Sequence, residues 1–226
     1  MLILLANPKG GVGKSTIARH AAVRIAMLGH SVVLADADPQ ASSWHWTQRR
    51  HAERPTATPV PGDRIGNNLA DEVRALAGRY RHTVVDAPAG DSEVMRTALR
   101  LAHRIIIPTR VADLDLQALP AMAERLHEAN TERNNPIRPR VVFNGVRALP
   151  NFWRRIDAAR ERVTELGFDT CQRAIVDRLV YDDSQRDGGS VFDDRWDKKA
   201  VDEMNSALHE LLRRPQMGNV AGPGLS

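Results

Sequence analysis

The sequence predicts an α/β protein: a mostly parallel, doubly wound sheet held between two layers of helices. Three observations predict it. Short continuous apolar runs at residues 2–6, 31–35, 83–85, 104–107 and 141–143 read as strands buried on both faces. Segments with apolar residues at helical spacing separate them, as crossovers between parallel strands require. A glycine-rich turn joins the first run to the first helical segment.

Each element follows in order. Ile17, Ala21, Ile25 and Leu28 form one stripe after the turn, and Gly29 ends that helix. Residues 41–50 read as helical, and 57–60, between prolines, as a short strand. Leu69, Val73 and Leu76 place a helix before the strand at 83–85, and residues 94–102 form one after it. Pro108 is expected to stop the strand at 104–107. Residues 119–129 form a helix that tolerates Pro120 in its first turn. From Asn151 the pattern is mainly helical, with stripes at Ile156, Ala159, Val163 and Leu166 and at Trp196, Ala200, Met204, Ala207 and Leu211. Residues 1–213 are expected to form a single domain. Residues 214–226, which lack an apolar period, are expected to be a flexible tail.

Composition narrows the function classes. The 226 residues suffice for one full core, and the formal net charge of +4 is compatible with weak polyanion binding. One cysteine, Cys171, excludes an intrachain disulfide and any cysteine-rich metal or iron–sulfur site supplied by the chain alone. The first apolar run is short and has no basic region before it, so it reads as a strand, not a secretion signal. No apolar stretch approaches membrane-spanning length, and the expected location is the cytoplasm.

The turn carries the chemistry. Lys9-Gly10-Gly11-Val12-Gly13-Lys14-Ser15-Thr16 lies between a strand and a helix start. Glycines let the backbone approach an anion closely, and the N–H groups at a helix N-terminus point at it. Lys14 is placed to reach the β/γ-phosphates and the Ser15 hydroxyl to ligate Mg²⁺. The usual P-loop pattern puts its first glycine at position 8; here Pro8 stands there, and a second lysine, Lys9, follows it. Acidic residues Asp36, Asp38 and Asp86 fall at or just after strand ends, where ligands of such sheets gather. A strand-end aspartate equally serves as a helix cap. With a phosphate loop in the chain, Asp36 and Asp86 are candidates to balance the metal with Ser15.

These motifs resemble those of the ParA-type partition ATPases of the deviant-Walker group, most nearly the short form like ParF. The resemblance rests on residues 7–16, 33–42, 84–90 and 188–192. It implies a P-loop NTPase fold, slow partner-stimulated hydrolysis of ATP with Mg²⁺, an ATP-bound homodimer, DNA binding without sequence preference, and a centromere-binding adaptor like ParB. It also implies that Lys9 crosses to the partner's nucleotide, that Asp38 positions the attacking water, and that Asp36 and Asp86 serve the metal. In a free chain Lys9 would point at solvent. Ala89 stands where the family carries a second proline, and no helix-turn-helix precedes the first strand, so operator binding is not expected.

Arg147, Arg154, Arg155, Arg178 and Arg186 are the candidate DNA contacts, such a protein being expected to associate with the nucleoid. The cluster at 154–162 equally reads as a solvated helix face paired with Asp157, Glu161 and Glu165. Trp44 and Trp46 read as core or interface packing, not a base-stacking platform, and His45 and His51 have no metal-ligand companions. The alternative function is a MinD-like membrane-cycling ATPase. It needs an apolar helix face that residues 216–226 lack, so no membrane partner is expected.

Overall fold

The computed structural model describes residues 1–66, 68–133, 135–147, 152–194 and 197–213. Its first half alternates strand and helix: β1 (Leu2–Leu5), α1 (Lys14–Met27), β2 (Val32–Asp36), α2 (Ser42–Glu53), β3 (Gly62–Arg64), α3 (Leu69–Arg79), β4 (His82–Asp86) and α4 (Glu93–Leu101). The second half contains β5 (Arg104–Thr109), α5 (Asp113–Leu116), α6 (Leu119–Thr131), β6 (Arg140–Val146), α7 (Phe152–Glu165), β7 (Asp169–Thr170), β8 (Ile175–Val176), α8 (Leu179–Asp183), α9 (Val191–Asp194) and α10 (Lys198–Leu212). The sheet runs β3-β2-β4-β1-β5-β6-β7, with β8 also on β6, and its pairs are parallel among the described residues.

Strand alternation divides the core in two. Leu2 and Leu4 of β1 face the layer of α3, α4, α6 and α7, while Ile3 and Leu5 face that of α1, α2 and α10. The stripes at Leu69/Val73/Leu76 and Ile156/Ala159/Val163 pack on the first face, and Ala200/Met204/Ala207/Leu211 on the second. This is the predicted doubly wound three-layer sandwich.

Three expectations need correction. The edge strand is 62–64, not 57–60, because backbone pairing with β2 decides it: Leu34 sits opposite Gly62. Pro108 lies inside β5 and does not stop it. At that level β1 has already ended at Leu5, so the missing proline N–H deprives no ladder partner there. Leu28 leaves its stripe as the exposed C-cap of α1, with Gly29 in left-handed conformation (φ 78°) after it. The described region after Asn151 is mainly helical as expected, with β7 and β8, two residues each, too short for any periodicity. Trp196 and the tail at 214–226 lie outside the described residues.

The motif at 188–192 is an anchor. A Cβ on Gly188 (φ 76°) would sit 2.1 Å from the Arg50 nitrogen, so the loop reaches α2 only because no side chain intervenes. Fully buried Trp46 donates its indole N–H to the Gly189 carbonyl at 3.0 Å, which places it in the core as expected. The Arg50 guanidinium donates to the Gly188 carbonyl and, through two nitrogens, to Asp193 at 2.7 and 2.9 Å. Buried His20 of α1 completes the contact. Its Nδ1 lies 2.7 Å from the Thr16 carbonyl, and its Nε2 accepts the Val191 N–H at 3.3 Å.

Burial pushes the His20 pKa down to about 4 from 6.5. The unfolded chain therefore binds the extra proton between those values, and the His20 contribution is complete above pH 6.5 and lost as pH falls towards 4. It amounts to about 3 kcal/mol at most. His82 is lowered likewise, and Asp86, raised to about 6, acts in the opposite sense. We expect urea unfolding at pH 4.5, 5.5 and 7 to show a smaller dependence on pH in His20→Gln than in the parent. An identical dependence would contradict the assignment.

Candidate nucleotide site

The strand order reverses at β1, which lies between β4 and β5, and the loop after β1 opens into the crevice created there. Asn7 sets its start. This buried side chain donates to the Pro108 carbonyl at 2.8 Å and accepts the Lys9 N–H at 2.8 Å. Gly11 (φ 72°) and Gly13 (φ 96°) bend the chain through left-handed conformations. Gly13 has a further reason to be glycine: its Cβ would meet Asn144 Nδ2 at 2.0 Å, and that amide donates to the Val12 carbonyl at 2.9 Å. Gly13 is also the N-cap of α1. It provides no side-chain cap and the first turn holds no acidic residue, so the helix N-terminus is open to an anion.

Buried Lys14 begins that helix, and its Nζ donates to the Lys9 carbonyl at 3.2 Å. Burial lowers its pKa, while Asp86 and Asp38 act to raise it. Lys9 does not point at solvent as expected of a free chain. Its Nζ pairs with Asp115 of α5 at 2.7 Å, because the β5–α5 connection passes beside the loop.

The acids divide their work. Asp36 and Asp86 are opposite each other on β2 and β4. Asp36 accepts the Asp38 N–H at 3.0 Å through one oxygen and the Ser43 and Trp44 N–H groups at 2.7 and 2.8 Å through the other. It thereby caps α2 and orders the intervening loop. That loop contains Ala41 at φ 52°, the one non-glycine residue with positive φ among the described residues. Asp86 Oδ2 accepts the Ser43 hydroxyl at 2.7 Å, while its Oδ1 is buried without a hydrogen-bond partner. Burial raises its pKa to about 6; the Ser43 and Ser15 hydroxyls and Arg19 pull it down, and Asp36 pushes it up.

The orphan oxygen tests the fit of Mg²⁺. Among the described residues no cluster of three or more His, Cys, Asp or Glu could hold a metal by itself. Mg²⁺ takes few protein ligands and keeps waters and phosphate oxygens, so Ser15 with a water donating to Asp86 Oδ1 fits it.

Gly10, Gly11, Gly13, Lys14, Ser15 and Thr16 line one cleft of ≈ 350 Å³ with Asp38. Arg110, Asn144, Asp177 and Tyr181 also line it, and none of these four was singled out from the sequence. Asn144 had one available signal, a polar residue at the carboxyl end of an apolar run. The others, like Asp115, belong to no motif.

The candidate DNA-binding arginines are not all equally free. Arg178 lines the cleft, pairs with Glu203 at 2.5 Å and lies 3.8 Å from Asp197. Arg147, Arg154 and Arg155 are exposed, and Arg186 has a loose 3.5 Å pairing with Asp183. Arg160 and Arg162 are matched by Asp157 and Asp113, so part of the α7 cluster is a paired, solvated helix face. Among the described residues no helix is long and apolar enough to cross a membrane.

Comparison with known proteins identifies the family. Residues 3–184 match the CobQ/CobB/MinD/ParA nucleotide binding domain. The chain is 28% identical over 215 residues to maintenance of carboxysome distribution protein A of Halothiobacillus neapolitanus, covering 93% of this chain and 95% of that one. It is 29% identical over 163 residues to the chromosome-partitioning ATPase Soj of Thermus thermophilus, covering 60% and 65%. The solved ATP complex of Cyanothece McdA superimposes with a TM-score of 0.71 over 96% of this chain and 98% of that one, at 13% identity, which shows the shared fold. The glycine cradle with its second lysine and the match over 3–184 together identify the chain as a member of the CobQ/CobB/MinD/ParA nucleotide-binding family, of the ParA/MinD type.

Proposed function

We propose that this chain is an ATP-driven positioning switch: it dimerises on ATP, associates with DNA through the dimer, and hydrolyses ATP when an adaptor protein engages it. The observation that carries the reading is the pair of lysines on one loop. Lys14 lines the cleft, whereas Lys9, at the start of the same loop, pairs with Asp115. Lys9 keeps about a third of its side chain exposed beside buried Asp115, so a partner's triphosphate would reach it by replacing the Asp115 contact. A relative aligned along nearly the whole chain is named for carboxysome distribution, which favours a protein assembly over a plasmid or chromosome as cargo.

Within the cleft, Lys14 and the N–H groups at the start of α1 hold the phosphates. Bound Mg²⁺ would neutralise developing charge on the phosphate oxygens. Asp38, kept in place by Asp36, orients the attacking water.

Asp38→Ala is expected to retain nucleotide binding and dimerisation while hydrolysis falls by roughly 10²–10⁴-fold. Lys9→Ala is expected to bind nucleotide and remain a monomer in sedimentation with a non-hydrolysable analogue. Wild-type hydrolysis by Asp38→Ala, or a parent chain that stays monomeric with ATP, would overturn the proposal.

A further inference from the structure

The backbone of Lys9 is held at both ends. Its N–H donates to the Asn7 side-chain oxygen at 2.8 Å, and its carbonyl accepts the Lys14 ammonium at 3.2 Å. The side chain leaves the loop and ends on α5, with Nζ 2.7 Å from Asp115 Oδ1. Lys9 can therefore change partner by rotating its own side-chain bonds while the glycine loop stays where it is.

The two members of this ion pair differ in what they lose when it opens. Lys9 keeps 35% of its side chain exposed, whereas Asp115 keeps 9%. An ammonium that swings outward moves into water or onto an anion, but the carboxylate left behind stays covered. Among the described residues Asp115 has no second ion pair. Arg162, which reaches α5 from α7, is taken by Asp113 at 3.0 Å. Nor is α5 free to follow Lys9, because Leu116 and Leu119 beside it are buried in the core layer of α3, α4, α6 and α7.

From these contacts we infer that Asp115 is a positioning residue for the ATP-driven dimer: it holds Lys9 on its own subunit and so sets how tightly two nucleotide-bound chains associate. The inference rests on the proposed ATP dimer, with Lys9 crossing to the partner's triphosphate. It adds that the crossing is opposed. Each subunit leaves one buried carboxylate without its cation, and the dimer does so twice. Removing one member of a buried pair is unfavourable because the survivor has lost both water and counter-charge. The nucleotide-free chain is thus a restrained monomer. A triphosphate, with more charge and more acceptor oxygens than one carboxylate, overcomes the restraint.

The test measures the dimer dissociation constant of the full chain by analytical ultracentrifugation with β,γ-imido ATP and Mg²⁺. Asp115→Asn keeps the size of the side chain and an acceptor for Lys9 but removes the charge. Its dissociation constant is expected to fall roughly tenfold or more below that of the parent. The protein concentration giving half-maximal ATP hydrolysis should fall by a similar factor, which a merely structural role for Asp115 does not produce. Asp115→Ser, smaller and also uncharged, should show the same gain, and melting curves establish that each variant is folded. Asp113→Asn removes the same charge from the same helix, but from an exposed carboxylate that pairs with Arg162 and not with Lys9. It is expected to stay within about twofold of the parent, because an exposed charge is screened. Adding Asp115→Asn to Lys9→Ala should not restore dimerisation, since the group to be released is then missing. Folded Asp115 variants that dimerise no more tightly than the parent, or an equal gain from Asp113→Asn, overturn the restraint and leave the ATP-dimer reading standing. A parent chain that stays monomeric with the analogue overturns that reading instead.

Discussion

Lys14→Ala is expected to abolish ATP binding, lowering affinity by roughly 10²–10³-fold or more, the usual cost of truncating one partner of a desolvated charge pair. The reason is positional. Lys14 is buried at the first turn of α1, beside the N–H groups that point into the cleft, and Lys9 is held on Asp115. Among the described residues no other lysine lines the cleft. The same substitution leaves Arg19 in place as the cation that holds down the Asp86 pKa, which burial raises. Calorimetric titration with ATP checks the first effect. A thermal melt of the nucleotide-free protein, expected to change little, separates lost binding from lost folding. Near-normal affinity would mean that the loop is not a phosphate cradle.

Arg50→Ala is expected to destabilise the protein by about 3–5 kcal/mol, because it leaves Asp193 buried without its counter-charge. Arg50 is almost fully buried, donates to the Thr58 and Gly188 carbonyls as well as to Asp193, and stacks its guanidinium 5.2 Å from the Trp46 ring centre. Arg50→Lys should recover only part of the loss, since an ammonium cannot reproduce the two-nitrogen contact. Urea unfolding measures both, and a change below about 1 kcal/mol in the alanine variant would sink the argument. The effect reaches the site. The helix bound at one end to Gly188 and Gly189 is capped at the other by Asp36, and it carries the Ser43 hydroxyl to Asp86.

Particular residues show how far the sequence could be read. Lys14, Ser15, Asp36, Asp38 and Asp86 are local signals: each lies next to a strand end, and a parallel sheet brings all strand ends of one kind to the same edge. Asn144 and Arg110 meet the loop only through the packing of β5 and β6, far away along the chain. Gly188 was recognisable as part of a motif, but its reason, a backbone approach to Arg50, lies in a contact between distant segments. The strand expected at 57–60 failed for a related cause. Proline spacing there suggested an extended segment, yet the ladder with β2 forms at 62–64.

By itself, the chain's apolar periodicity and its glycine-lysine loop determined the layered α/β architecture and the chemistry of the phosphate site. Both depend on neighbours within a few residues, where spacing translates directly into geometry. Only the tertiary structure decided that Lys9 rests on Asp115 and that Arg178 is taken by Glu203. A charged side chain finds its partner through space. Whether an arginine is free or compensated is therefore settled by packing between helices, on which sequence spacing is silent.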